Sequence, residues 1–179
     1  FSSSIHNKLY IRVVLYCVRM TKIVFDADAL IKLVKAGITT DILRTVSAYI
    51  SEDVYLEVVV EGKKQFFPDA YRAEQLIAEK ALSPVSTKTS GAFPGLGKGE
   101  TSSYFLLLEL NAAAIVSDDA HFLKFLEKQG IPFVTPASFV VVLVKVRKIE
   151  KEQGRKILEK LKQHIDTQQF ASYMRELEE

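Results

Sequence analysis

The sequence predicts an α/β fold, a three-layer α/β/α arrangement around a central, mostly parallel sheet of four or five strands, with C-terminal helices after it. Two observations and one rule of topology lead to this prediction. From residue 22 onward, short apolar runs rich in β-branched residues alternate with longer segments of helical periodicity. Glycines and prolines stand between many of these segments. Repeated strand-then-helix units join parallel strands through helices that cover both faces of a sheet.

The first half of the chain begins with a strand that leads directly into a helix, which Gly37 stops. Ser51 is the expected N-cap of the third helix, and Gly62 is its expected end. The predicted elements, in order, are a strand at 22–25, helices at 27–35, 40–49, 51–62 and 69–80, and a short strand at 82–87.

The second half opens with the clearest loop of the sequence, residues 87–99, which contains four glycines and a proline. Gly99 and Glu100 open a helix that is expected to turn Phe105, Leu106, Leu108 and Leu110 toward the core. The elements predicted after it are a strand at 112–116, a helix at 120–129, a strand at 131–134 and a helix that begins after Pro136.

Both ends of the chain differ from its middle. Residues 1–19 precede Met20 and are predicted to be an extension or tag outside the core, the main domain being 20–145. Residues 146–179 are predicted to be a helical extension rich in charged residues, with helices at 149–165 and about 167–177. Ile157, Leu158, Leu161 and Ile165 form one apolar stripe there, which should dock on the body or on a second subunit.

The composition excludes several classes of protein. With 48% hydrophobic and 26% charged residues the chain is globular and not disordered, and its net charge of +2 is compatible with a polyanionic partner without requiring one. A single cysteine, Cys17, cannot form an intramolecular disulfide or a thiolate metal cage, which favours a cytoplasmic protein. The apolar runs at 9–18 and 139–146 are shorter than the roughly 20 residues that span a bilayer, so no membrane helix is predicted.

Carboxylates stand where two of the predicted strands end. Asp26 follows the first strand, and Asp118 and Asp119 follow the strand at 112–116. Ligands of open parallel sheets bind outside the carboxyl ends of the strands, so these acids should be neighbours. Glu100 begins a helix that returns antiparallel to the next strand and should lie over that strand's end. Grouped carboxylates repel one another unless a cation neutralises them, and oxygen ligands favour Mg²⁺ or Mn²⁺, which activate water for phosphodiester hydrolysis.

Four short motifs occur in order along the chain. They are Asp26-Ala-Asp-Ala-Leu-Ile, Val54-Tyr-Leu-Glu57, Gly97-Lys-Gly-Glu100 and Ser117-Asp-Asp119-Ala-His-Phe. With these motifs, residues 21–145 resemble the PIN-domain family, in its archaeal and bacterial branch. The resemblance implies a Mg²⁺- or Mn²⁺-dependent endoribonuclease that acts on RNA, either the toxin of a toxin–antitoxin pair with a cognate antitoxin or an RNA-processing enzyme. It also implies a homodimer.

The resemblance and the placement of the acids together predict a set of site residues. The catalytic candidates are Asp26, Glu57, Glu100 and Asp119. The candidate metal ligands are Asp26, Glu100, Asp119 and Asp118. The secondary candidates are Asp28, Glu61, Ser117 and Ser102, and Lys98 is the candidate contact to a substrate phosphate.

The sequence leaves other interpretations of these residues open. Asp26 and Asp119 could be ordinary N-caps, and Glu100 a first-turn acid favoured by the helix dipole. The pair Asp26-x-Asp28 after an apolar strand is also typical of haloacid-dehalogenase-type phosphatases, although the usual Gly-Thr after the second Asp is absent. A third alternative is a catalytically silent PIN domain that binds RNA or protein. The basic residues between 145 and 156 are interleaved with glutamates, which favours an exposed helix face.

Overall fold

The computed structural model describes residues 22–178. Its sheet has the order β3-β2-β1-β4-β5, and every pair of neighbouring strands is parallel. The strands are β1 (Lys22–Phe25), β2 (Ser47–Ser51), β3 (Leu82–Val85), β4 (Ala114–Val116) and β5 (Phe133–Val134). The predicted fold class is therefore confirmed. The predictions on residues 1–19, including Cys17, and on the apolar run at 9–18 lie outside the described residues.

The helices connect these strands and follow the last of them. They are α1 (Ala27–Lys35), α2 (Thr40–Leu43), α3 (Glu52–Tyr55), α4 (Gly62–Lys64), α5 (Pro68–Ala78), α6 (Lys98–Leu110), α7 (Ala120–Lys128), α8 (Pro136–Lys145), α9 (Lys151–Leu161) and α10 (Thr167–Glu178). A π-helical segment, Leu56–Glu61, joins α3 to α4, and a 3₁₀ turn, Lys162–His164, follows α9. Within residues 22–178, every helix is too short or too polar to cross a bilayer.

Side chains of β1 alternate between the two faces of the sheet, as in a central strand that is covered on both sides. Ile23 and Phe25 belong to the larger core, to which α1, α5, α8, α9 and α10 contribute. Val24 belongs to a second core, formed mainly with α6 and α7, that includes Leu106 and Phe122. The sheet is thus the middle of three layers, and the carboxyl ends of its strands lie along one edge.

The predicted helix at 40–49 is wrong beyond Leu43, and the last three residues of that range belong to strand β2. The helix ends after Leu43, where Thr45 Oγ1 donates to the carbonyl oxygen of Ile42 (2.7 Å). Ala48 and Ile50 then point into the larger core while Tyr49 packs against the other one, which is the period-two alternation of a strand. The segment pairs with β1 on one side and β3 on the other, so tertiary pairing outweighs the local helical pattern.

Gly62 does not end the third predicted helix, which continues through the π-helical segment and α4 to Lys64. A Cβ atom on Gly62 would lie 2.8 Å from Cβ of Ala70 on α5. This glycine therefore permits two helices to approach closely and is not a stop. The turn is made later, at Phe66, whose φ is 60°.

The predicted inward face of α6 is wrong in part. Leu106 is buried as expected, but Leu108 is 49% exposed and Leu107 is buried in its place. A run of leucines does not define the phase of a helix; here the buried Ser102 and Ser103 share the inner face with Leu106 and Leu107.

The C-terminal helices pack on the body of the same chain. Ile157, Leu158 and Leu161 of α9 are buried in the larger core, and Ile165 packs against it. A Cβ on Gly154 would lie 2.4 Å from Cγ2 of Val144, so α9 crosses α8 at close range. The apolar stripe predicted for this region therefore meets the body, one of the two alternatives that the sequence allows. The helix itself is shorter than predicted and begins at Lys151.

Candidate functional site

A pocket of about 510 Å³ opens where β1 and β4 end. Its lining includes the four predicted catalytic acids, together with Lys98. The sheet brings Asp26 and Asp119 together. The backbone N–H of Asp26 donates to the carbonyl oxygen of Val116 (3.1 Å), the last residue of β4, and Asp119 follows that strand. The acids that line the pocket are Asp26, Asp28, Asp53, Glu57, Glu100 and Asp119.

Asp26 is the buried acid of this pocket, with 3% of its surface exposed. Its Oδ1 accepts from the backbone N–H of Ala29 (2.8 Å), and its Oδ2 accepts from the hydroxyl of Ser117. Burial raises the pKa of Asp26 to about 7, the two hydrogen bonds lower it in part, and the charges of Asp118 and Asp28 raise it. Asp26 is therefore the N-cap of α1 and also a strongly perturbed acid in a pocket.

Asp119 and Glu100 also serve as helix caps, but each with one oxygen. Asp119 Oδ1 accepts from the backbone N–H groups of His121 (2.9 Å) and Phe122 (2.8 Å). Glu100 Oε2 accepts from the backbone N–H of Gly97 (2.6 Å) at the start of α6. The hydrogen bonds within residues 22–178 leave Asp119 Oδ2 and Glu100 Oε1 without a donor. Capping and ligand binding are thus compatible at both positions.

Glu57 reaches the pocket from the π-helical segment. Its pKa is raised by burial first, and then by the charges of Asp28 and Glu100. A Cβ atom on Gly99 would lie 3.2 Å from Glu57 Oε2, so the missing side chain at this position leaves room for the carboxyl group. Segments of π-helix are rare and are frequently found at functional sites.

The remaining candidates lie around the pocket. Asp28 lines it, whereas Glu61 is exposed and pairs with Lys64 (2.7 Å). Ser117 is buried against Asp26. Ser102 is buried too, and its hydroxyl donates to Ser51 Oγ (2.8 Å), which links the starts of α3 and α6.

Asp118 lies apart from the pocket lining. Its Oδ2 accepts from Lys32 Nζ (2.7 Å), while its Oδ1 is buried without a donor in the described part of the chain. Burial is the main cause that raises the pKa of Asp118, and the bond from Lys32 opposes it.

Two residues of this region are not among the site residues that the sequence predicts. Asp53 lines the pocket from the first turn of α3, and Lys32 binds both Asp28 and Asp118. The spacing of four residues from Asp28 to Lys32 on a helix is a visible sign of the first ion pair. No local pattern indicates Asp53, because only the fold of the chain brings α3 beside α6 at the pocket.

The glycine-rich loop at 87–99 lines the pocket at its end, through Gly97, Lys98 and Gly99, and is held at several points. The backbone N–H groups of Lys88 (3.1 Å) and Thr89 (2.7 Å) donate to the carboxylate of Glu109 on α6. Phe93 packs against Phe125, with 4.8 Å between ring centroids. The loop that presents Gly97 and Lys98 is therefore supported by the second core.

A divalent cation suits this pocket by its chemistry. The acids offer oxygen atoms alone, which are the ligands that Mg²⁺ and Mn²⁺ prefer. Burial disfavours the charged form of Asp26 and so raises its pKa, and a bound cation would stabilise that charged form. As they stand, no three acidic, histidine or cysteine side chains of residues 22–178 are close enough together to hold an ion. The acids would have to draw closer to bind one.

Comparison with models of known protein families identifies a family. A family model described as a PIN domain matches residues 22–179, which is nearly the whole chain and includes the C-terminal helices. The resemblance that the four sequence motifs predict is thereby confirmed. The searches of curated proteins and of solved structures gave no match.

Proposed function

We propose that this chain, which belongs to the PIN-domain family, is a divalent-metal-dependent endoribonuclease. PIN domains are usually nucleases, and they generally bind RNA and use divalent metal ions. The observation that carries the proposal is that Asp26, Glu57, Glu100 and Asp119, from four separate segments, line one pocket at the carboxyl edge of the sheet. Chance capping acids would have no reason to share a pocket with Glu57, which caps nothing.

Three carboxylates are proposed to hold Mg²⁺ or Mn²⁺: Asp26, Glu100 and Asp119. Asp118, the fourth predicted ligand, has one oxygen engaged by Lys32 and is left out of this set. A bound cation would lower the pKa of water and neutralise charge on a phosphodiester. The chain itself holds two of these carboxylates in place. Asp26 accepts hydrogen bonds from Ala29 and Ser117, and Glu100 accepts one from Gly97.

Glu57 is proposed to take the proton of the attacking water. Its raised pKa and its exposed position at the pocket suit a general base, which works best when its pKa approaches the working pH. The oxygen of water bonds to phosphorus, the bond from phosphorus to one ester oxygen breaks, and the proton of water passes to a carboxylate oxygen of Glu57. The departing oxygen takes a proton from solvent.

Lys98 is proposed to contact a phosphate of the substrate. It lines the pocket beside Glu100. A pocket of carboxylates repels a polyanion, so a cation at its rim helps an RNA strand to approach. The start of α6, whose backbone N–H groups carry partial positive charge, adds to this attraction.

The biological setting is proposed from the family resemblance alone. The protein is proposed to be either the toxin of a toxin–antitoxin pair, with a cognate antitoxin as protein partner, or an RNA-processing nuclease. Homodimerisation and a cytoplasmic location stay predictions. Light scattering tests the first: a mass of two chains is expected, and a mass of one chain would end that prediction.

The phosphatase alternative loses support, because the match to a PIN-domain model leaves no reason to assign the chain elsewhere. Asp28, which would be its acid–base residue, is bound instead by Lys32 (2.5 Å).

The test of the proposed function is incubation of a circular RNA with Mn²⁺, with Mg²⁺ or with EDTA. Linear products with either metal ion and intact circles with EDTA are expected, because only an endonuclease opens a circle. RNA that binds but stays circular would identify a silent binding domain, and hydrolysis of small phosphate esters instead would restore the phosphatase.

A further inference from the structure

The ammonium group of Lys32 lies between two acids beside the pocket. Its Nζ is 2.5 Å from Asp28 Oδ2 and 2.7 Å from Asp118 Oδ2, and only 18% of the side chain is exposed. Lys32 and Asp28 belong to α1, whereas Asp118 follows β4. The lysine therefore joins the two segments that also supply Asp26 and Asp119.

Asp28 and Asp118 are close enough to Asp26 for their charges to act on it. Among the described residues, the Lys32 ammonium is the donor that reaches the Asp118 carboxylate, whose other oxygen is buried without a partner. A partly buried carboxylate that loses its cation is left with an uncompensated charge. Something positive is therefore required at the position of Lys32.

We propose that the Lys32 ammonium takes the place of a second divalent cation, so that the site binds one metal ion. The inference rests on the proposed function. Nucleases with two ions hold them about 3.5–4 Å apart, and each ion needs its own set of oxygen ligands. Here Asp28, which lines the pocket, and Asp118, which lies beside it, each give an oxygen to a cation that is part of the chain. Asp26, Glu100 and Asp119 remain for a single ion.

The number of bound Mn²⁺ ions tests this, measured on the full chain without RNA by the electron paramagnetic resonance signal of free Mn²⁺. The wild type is expected to bind one ion. Lys32→Met removes the charge and keeps most of the stem, and is expected to bind two, the second more weakly. Lys32→Arg keeps the charge and is expected to bind one.

Lys35→Met is the matched control, since Lys35 is on the same helix, is half-exposed and lies 3.7 Å from Asp69; it should bind one ion. Two ions on the wild type, or one on folded Lys32→Met, would overturn the inference and leave the nuclease intact. No ion on the wild type would remove the metal from the proposed function as well. If Lys32→Met does not fold, the wild-type stoichiometry still decides whether a second ion is excluded.

Discussion

The surroundings of Asp26 act on its charged form in opposite directions. Two hydrogen bonds favour its charged form, but burial beside Asp28 and Asp118 disfavours it more, and the balance raises its pKa to about 7. Without metal, the folded protein therefore holds a proton on Asp26 that the unfolded chain releases at a pKa near 3.8. The stability that Asp26 contributes is fully present below the unfolded pKa and is lost as the pH rises through about 7.

Asp26→Asn removes this pH dependence. In EDTA, the stability of the variant relative to wild type should therefore rise by about 3 kcal/mol between pH 5 and pH 8, because only the wild type loses stability to the ionisation. Urea unfolding at several pH values measures it. Parallel pH curves for the two proteins would mean that Asp26 ionises normally in the fold.

Ser117 is expected to tune the acid beside it. Its hydroxyl donates to Asp26 Oδ2 and lowers the pKa of Asp26, so Ser117→Ala should move the acidic limb of the pH–rate profile for RNA cleavage to higher pH. Rates should fall several-fold near pH 6.5 and converge with wild type at high pH.

Ser103→Ala is the control for this change. Ser103 is equally buried, but its hydroxyl has no hydrogen-bond partner in residues 22–178. Its profile should coincide with that of wild type; a shift in both variants would indicate a general effect of removing a buried hydroxyl.

At the level of secondary structure, two glutamates of the π-helical segment differ in whether they reach the site. Glu57 lines the pocket, whereas Glu61, four residues later, is outside the pocket lining and is paired with Lys64. Glu57→Gln should reduce RNA cleavage by about 10²-fold or more, as for loss of a general base. Glu61→Gln, the same change in the same segment, should stay within about twofold of wild type. Equal effects in single-turnover assays would contradict the role assigned to Glu57.

Elements could be predicted where the local signals agree. Helix α1 has the predicted bounds, because an Asp cap, a clear apolar stripe and Gly37 all indicate the same segment. Strand β2 could not be predicted, since its pairing partners lie far away in sequence. The π-helical segment has no sequence signal that distinguishes it from an α-helix. The prediction that Gly62 ends a helix is wrong because this glycine instead permits close contact with Ala70 on α5, which no local pattern indicates.

At the scale of the molecule, the C-terminal helices are part of the larger core, and the family match includes them. Gly154→Ala should lower the free energy of unfolding by about 1–3 kcal/mol, because the new Cβ would collide with Val144. Val144→Ala should lessen that loss when the two changes are combined, a non-additive effect expected of neighbours. Purely additive losses in denaturant unfolding would show that the two helices do not meet at these residues.

The site could be predicted as far as topology determines it. Parallel strands end along one edge, so Asp26 and Asp119 follow from the order of elements, and Glu100 follows from the antiparallel return of its helix. Asp53 and Lys32 could not be predicted as parts of the site, because their places depend on how α3 and α1 pack. The family motifs indicated Glu57, which no periodicity would have separated from Glu61.

The proposed nuclease depends on acids gathered at the sheet edge that cut RNA with the help of a divalent ion. Its most direct test is the Mn²⁺-dependent cleavage rate of the wild type, Asp26→Asn and Asp119→Asn on one RNA, with folding of each variant checked by circular dichroism. Cutting by the wild type is expected, with a loss of at least about 10²-fold in both folded variants. Undiminished cutting by either variant would contradict it.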